Sequence, residues 1–101
     1  MSQSRECRQE ELEELFQAIL LLRDMEDCSS FLGDLFTVQE LESFSRRLRV
    51  AKLLLNGATY GMIQEQLPVS SATITRINTE LQYGCGGYRM VVERMEKNKA
   101  E

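Results

Sequence analysis

The sequence predicts an all-α protein, and three observations carry that expectation. A single proline interrupts 101 residues. Apolar residues recur in steps of three and four along most of the chain, the spacing of one helix face. Helix start signals, a serine or threonine just ahead of an apolar run, stand at Thr37, Thr59 and Ser70. The length suits one domain with a small core, so residues 1–101 are read as a single helical domain.

Residues 8–35 supply the N-terminal helices. From 8 to 25, Leu12, Leu15, Phe16, Ile19, Leu20 and Leu22 fall mostly on one broad face with glutamates opposite, an amphipathic helix that needs a partner surface. "SSFLGDLF" then reads as a short second helix capped by Ser29 or Ser30. "TVQE", Thr37 to Glu40, has the capping-box pattern, and a long core helix is expected over 38–56. Leu41, Phe44, Leu48, Ala51 and Leu55 lie on one face, while Val50, Leu53 and Leu54 add apolar residues on others. A helix apolar nearly all round must be buried on nearly all sides, which in so short a chain favours a second chain. Gly57 supplies the stop. Residues 59–82 form a pair of helices, the first capped by Thr59 and ending against Pro68, the second capped by Ser70. "YGCGG" breaks the second, and Tyr88, Val91, Val92 and Met95 mark a last amphipathic helix over 88–98, with "KNKAE" fraying.

Composition narrows the function. The net charge is −4, with 43% hydrophobic and 28% charged residues, a globular balance. No apolar run approaches the roughly 18 residues that cross a bilayer, so no membrane association is expected. The opening "MSQSRECRQEE" lacks the apolar core of a signal peptide, and a cytoplasmic location is the expectation. Cys7, Cys28 and Cys85 are odd in number, lack a CxxC spacing, and stand in a chain without histidine. Disulfides, metal sites and cofactors are therefore not expected, and Cys28 and Cys85 read as packing residues. No nucleophile–base pairing is visible, so no catalytic residue is assigned and no enzyme is expected. Met62, Met90 and Met95 read as core filler. Charge is uneven: residues 1–35 carry −6, residues 36–81 carry +1 and residues 82–101 carry +1. The overall balance does not favour long-range attraction to a polyanion. The cations that do cluster are Arg46, Arg47, Arg49 and Lys52, of which Arg46, Arg49 and Lys52 suit phosphate contact, a solvated face or dimer salt bridges equally.

Two short helices joined by a three- to four-residue turn, the second opening with small polar residues, describe a helix-turn-helix. At 100° per residue, Ile74, Ile77 and Leu81 face inward, while Ala72, Arg76 and Thr79 face outward, flanked by Thr73, Thr75 and Glu80. A helix entering the major groove needs short side chains near its N-terminus. Threonine can donate or accept at a base edge, and both threonine and alanine pack on the thymine methyl. The helix N-terminus adds amide donors for phosphate, and Arg76 can read guanine or hold phosphate. The competing reading of the same residues is a helical hairpin with a small, polar exposed face.

From Phe36 to Leu81 the chain resembles the Trp-repressor superfamily, and more specifically its Trp-repressor-related YerC/YecD branch. The residues that carry the resemblance are "FTVQELESFSRRLRVAKLLLNG" and "SSATITRINTELQYG". "ATITR" is identical in the tryptophan repressor, at the start of its recognition helix, whereas "YGCGGYRMVVERM" fits the branch. The resemblance implies a Trp-repressor-like helical domain forming an intertwined homodimer, with two recognition helices set for successive major grooves of double-stranded DNA. It implies base contacts that are largely water-mediated and base-proximal positions at Ser71, Ala72, Thr73 and Thr75, beside Ser70, Arg76 and Thr79.

The effector pocket of that family transfers only in part. Arg47 and Arg76 occupy the positions of the two arginines that sandwich the indole, and Thr37 matches a further pocket residue. The glycine after the second arginine is Ile77 here, and the serine that receives the ligand's amino group is Glu80. A branched side chain where a ring must lie fills the space, so tryptophan binding is not expected and Arg47, Thr37 and Glu80 mark a vestigial effector pocket or a phosphate contact. The functional expectation is a sequence-specific DNA-binding transcriptional regulator, a repressor that occupies an operator. The alternative, prompted by the charge of −4, is a helical protein–protein interaction module that keeps the fold.

Overall fold

A computed structural model describes the backbone of residues 2–100 and the side chains of residues 8–99. Six α-helices and no strand occur among the described residues: α1 (Ser2–Leu20), α2 (Met25–Leu35), α3 (Val38–Leu55), α4 (Tyr60–Gln66), α5 (Ser71–Tyr83) and α6 (Gly87–Ala100). The all-α expectation is met. The chain divides into two compact units, Met1–Val38 and Gln39–Glu101.

In the first unit, α1 stops at Leu20, five residues short of the expected end. The amides of Leu21 and Leu22 bond back to Ala18 and Ile19, a tightened final turn that closes the helix. Asp24 is the reason a new helix starts there. Its backbone is extended and its carboxylate accepts the Asp27 amide at 2.8 Å, while Asp27 accepts the Arg23 amide at 3.0 Å. Glu26 and Asp27 add favourable negative charge at the helix N-terminus. The cap of α2 is therefore Asp24 and not Ser29 or Ser30, which lie inside the helix. No described residue of this unit is buried.

The second unit holds the core. α3 begins at Val38, directly after Thr37. It ends in a two-bond cap: Ala58 N–H to Leu53 O at 2.9 Å and Gly57 N–H to Leu54 O at 3.1 Å. That closure needs Gly57 at φ +87°, a region L side chains rarely adopt. Ala58 and Leu53 both pack against the core, completing the motif. Thr59 caps α4, accepting the Met62 amide at 3.2 Å, and Ser70 caps α5, accepting the Thr73 amide at 3.2 Å. Both capping expectations are met.

Val50 and Ala51 of α3, Ile63 of α4, and Ile74 and Ile77 of α5 are at most 1% exposed and form one cluster. Each buried isoleucine contributes roughly 1.5–3 kcal/mol. These contacts fix the pitch of α5, since Ile74 and Ile77 lie on the face opposite Arg76. At the far end, Asn56 Nδ2 donates to Glu96 Oε1 at 3.1 Å, tying the end of α3 to α6, where Val92 is buried. α5 closes at Gly84, whose amide donates to Glu80 O at 2.8 Å. A Cβ added at Gly84 would collide with that carbonyl. Gly84→Ala is therefore expected to cost about 1–3 kcal/mol, read as a lower midpoint in thermal unfolding.

Several apolar side chains stand where periodicity did not put them. Met62, Met90 and Met95 are 49%, 44% and 40% exposed, so they are not core filler. Cys85 is exposed on the α5–α6 linker and Cys28 is half-buried; neither is a buried packing residue. Cys7 lies outside the described side chains. α6 continues to Ala100, past the expected fray.

Candidate nucleic-acid interface

α5 is joined to α4 by Leu67–Ser70, a four-residue turn, with Leu67 and Val69 packed against the core. Along α5, Ser71, Ala72, Thr75, Arg76 and Thr79 are exposed, and Thr73 and Glu80 are half-buried. All seven sequence-derived interface positions, Ser70 through Thr79, thus belong to one cap and helix, with its two isoleucines anchored beneath.

Local hydrogen bonds organise that surface. Ser70 Oγ and Thr73 Oγ1 are 3.0 Å apart at the first turn. Tyr60, the first residue of α4, donates its hydroxyl to Thr75 Oγ1 at 3.2 Å. Thr79 Oγ1 donates to the Thr75 carbonyl at 2.9 Å. Arg76 Nε stands 3.5 Å from Glu80 Oε1, a pair one turn apart in which both side chains reach solvent. Such an exposed pair contributes little to stability and leaves the guanidinium available.

A hollow of about 260 Å³ opens between α3 and the start of α5, lined by Gln39, Glu42, Ser43, Arg46 and Arg47 on one side and Ser70 and Thr73 on the other. Two arginines beside a helix N-terminus suit a phosphate oxygen, because the amide dipoles and the guanidinium charges have the same sign. The Arg47 guanidinium carbon lies over the Phe44 ring, 5.9 Å from its centroid.

A larger cavity of about 630 Å³ lies beside the α5–α6 linker, and Arg47 and Glu80 both line it with Leu48, Leu81 and Tyr88. The expected effector-pocket residues are only partly brought together. Arg76 is not among the lining residues; its side chain is 71% exposed. Thr37 belongs to the first unit, immediately ahead of α3. Ile77 does not fill this space but is buried in the core cluster. The Gly84–Gly87 stretch, read as a linker, also forms part of the wall. Sequence reasoning missed Tyr60: its only signal was a hydroxylated aromatic in the first turn of α4, fifteen residues from its partner. Among the described residues no cluster of three metal-ligating side chains occurs, and no helix is long and apolar enough to cross a membrane.

Comparison with known proteins gives a consistent picture. The family described as Trp repressor protein matches residues 10–96. The uncharacterized protein YerC of Bacillus subtilis is 40% identical over 94 residues, which span 93% of this chain and 90% of that protein. A candidate Trp repressor from Staphylococcus aureus has a solved structure with a TM-score of 0.81 at 46% identity, over 84% of this chain and 85% of its own. A TrpR-like protein from Eubacterium eligens aligns with a TM-score of 0.83 at 44% identity, over 86% and 90% of the two chains.

Proposed function

The chain belongs to the Trp repressor family, and from that premise we propose that it is a sequence-specific DNA-binding transcriptional regulator, a repressor acting as a homodimer. The family is one of regulators and not of enzymes. The observation that carries the reading is the two-sidedness of α5: Ile74 and Ile77 are buried, while Ser71, Ala72, Thr75 and Thr79 stand exposed on short stems with the long Arg76 side chain exposed among them. That is the surface a helix needs for close approach to base edges. Arg46 and Arg47, at the hollow beside the helix N-terminus, supply phosphate contacts that hold the register.

The dimer is supported by apolar surface that the single chain leaves open. Leu12, Phe16, Ile19, Leu20, Leu21 and Met25 are 40–85% exposed, and an amphipathic helix with a bare apolar face is stable only when something covers it. Two copies placing their α5 helices one DNA turn apart would read a two-fold symmetric site.

Tryptophan is not the expected effector. Glu80 stands where the family has a serine, and Arg76 lies outside the cavity that Arg47 and Glu80 line.

The test is selection of random duplexes by the full-length protein, with Arg76→Ala as the control. A two-fold symmetric motif with half-sites about one helical turn apart is expected. No enrichment above the control, at low and moderate salt alike, would remove this reading. The second reading, a protein-binding module, is favoured by the charge of −4 and would then be tested by recovery of a stoichiometric partner insensitive to Arg76→Ala and to nuclease.

A further inference from the structure

Arg47 lines two cavities at once. It stands in the wall of the hollow of about 260 Å³ beside Ser70 and Thr73, and also in the wall of the larger cavity beside the α5–α6 linker. No other residue belongs to both walls. The hollow is the phosphate contact of the reading above. The larger cavity has no part in that contact.

At about 630 Å³ the larger cavity falls within the range of small-molecule sites, roughly 300–1,000 Å³. Leu48, Leu81, Tyr88 and Val91 give it an apolar wall, and three charged residues line it: Arg47, Arg89 and Glu80. Glu80 already has Arg76 3.5 Å away. Among the described residues no carboxylate pairs with Arg47 or Arg89. The unmet charge of the cavity is therefore positive. A carboxylate meets it through two parallel bonds to one guanidinium. An ammonium group would face two cations and compete with Arg76 for the one acid. The site also differs from the tryptophan pocket of the family, because Arg76 and Thr37 take no part and the α5–α6 linker and the start of α6 form the wall.

We propose that this cavity takes a carboxylic acid with an apolar body, in its simplest form an aryl carboxylate, and that the bound acid lowers affinity for DNA. The regulatory half rests on the reading of α5 and Arg47 as the DNA-binding face. A guanidinium has five N–H donors, so a bound carboxylate leaves donors for a phosphate. What the carboxylate removes is net charge. The ion pair is neutral, and an anion beside the hollow repels the backbone phosphate that Arg47 otherwise attracts.

The probe is naphthoate, with naphthamide and naphthylmethylammonium as ligands of similar shape and different charge. Without DNA, titration of the full-length protein followed by amide NMR shifts is expected to saturate with a Kd of about 1 mM or below. The largest shifts are expected at Gly84, Gly86 and Gly87, which stand in the wall. The amide and the ammonium bind about tenfold more weakly or worse, and Arg47→Gln weakens naphthoate by a similar factor. Val91→Phe fills the cavity, leaves Arg47 in place and weakens naphthoate as well. With the selected duplex at roughly 0.1 M salt, and acetate as the control for ionic strength, saturating naphthoate weakens wild-type binding about fivefold or more. The salt dependence becomes shallower by about 0.9 per chain, one phosphate contact. Val91→Phe keeps the wild-type affinity for DNA and loses this response.

Naphthamide bound as tightly as naphthoate, or naphthoate bound equally by Arg47→Gln or Val91→Phe, overturns the anion site. So does a titration that shows no saturation below about 10 mM. Naphthoate that fills the cavity without moving the wild-type affinity for the duplex overturns the regulation and leaves α5 as the recognition helix. A wild type that selects no duplex removes the DNA reading and the regulation with it, and the titration without DNA still decides the cavity.

Discussion

Replacing Ile74 by alanine is expected to lower the free energy of unfolding by about 2–5 kcal/mol. The side chain is fully buried among Val50, Ala51, Ile63 and Ile77, so its removal loses transfer free energy and leaves a cavity that backbone from three helices must close. Only two fully buried residues of α5 hold it against the rest of the unit, and Ile74 is the one nearer the N-terminal turn. The loss should therefore appear as looser placement of the Ser71–Arg76 surface as well as reduced stability. Urea unfolding followed by circular dichroism measures the loss of stability, at a fixed protein concentration because association would shift the midpoint. Ile77→Val, which removes one methylene from the neighbouring position, is expected to cost only about 0.5–1.5 kcal/mol. A cost below 1 kcal/mol for Ile74→Ala would mean that α5 is not anchored by this cluster.

The parts of the fold legible from sequence were those decided by neighbours in the chain. Thr59, Ser70 and Gly57 act within one turn of themselves, and each does in the structure what its residue type predicts. The inward face of α5 was legible for the same reason, since 100° per residue places Ile74 and Ile77 together. Failures began where two local signals competed or where distance intervened. Asp24 and the serines at 29 and 30 are all good caps, and the apolar run through Leu22 hid the break that Asp24 makes. Periodicity marks an apolar face without saying what covers it, so exposed Met62, Met90 and Met95 looked the same as buried Val92. The bond from Tyr60 to Thr75 depends on how α4 crosses α5, which no spacing rule contains. Nor does family resemblance settle the pocket: Arg47 and Glu80 meet at one cavity while Arg76 turns to solvent.

Arg76→Ala and Glu80→Gln are expected to move duplex affinity in opposite directions. Arg76 is 71% exposed on the outward face of α5, and its nearest charged partner is Glu80 at 3.5 Å. Exposed pairs of this kind exchange readily with other partners, so a DNA phosphate or guanine edge competes with Glu80 for the guanidinium. Removing Arg76 deletes the contact and is expected to weaken binding about tenfold or more at roughly 0.1 M salt, with a salt dependence shallower by about 0.9 per chain if the contact is to phosphate. Removing the Glu80 charge frees the guanidinium and takes a negative charge off a face that must approach a polyanion, so binding should tighten about threefold. Fluorescence anisotropy across a salt series reads both. The double variant separates the two ways Glu80 can act. If Glu80 works only by occupying Arg76, the double variant binds as Arg76→Ala does. If its charge repels the backbone directly, the double variant binds more tightly than Arg76→Ala and the gain shrinks as salt rises. An Arg76→Ala variant with unchanged affinity and unchanged salt slope would move the DNA-binding face away from α5, since no other arginine or lysine lies between Ser71 and Tyr83.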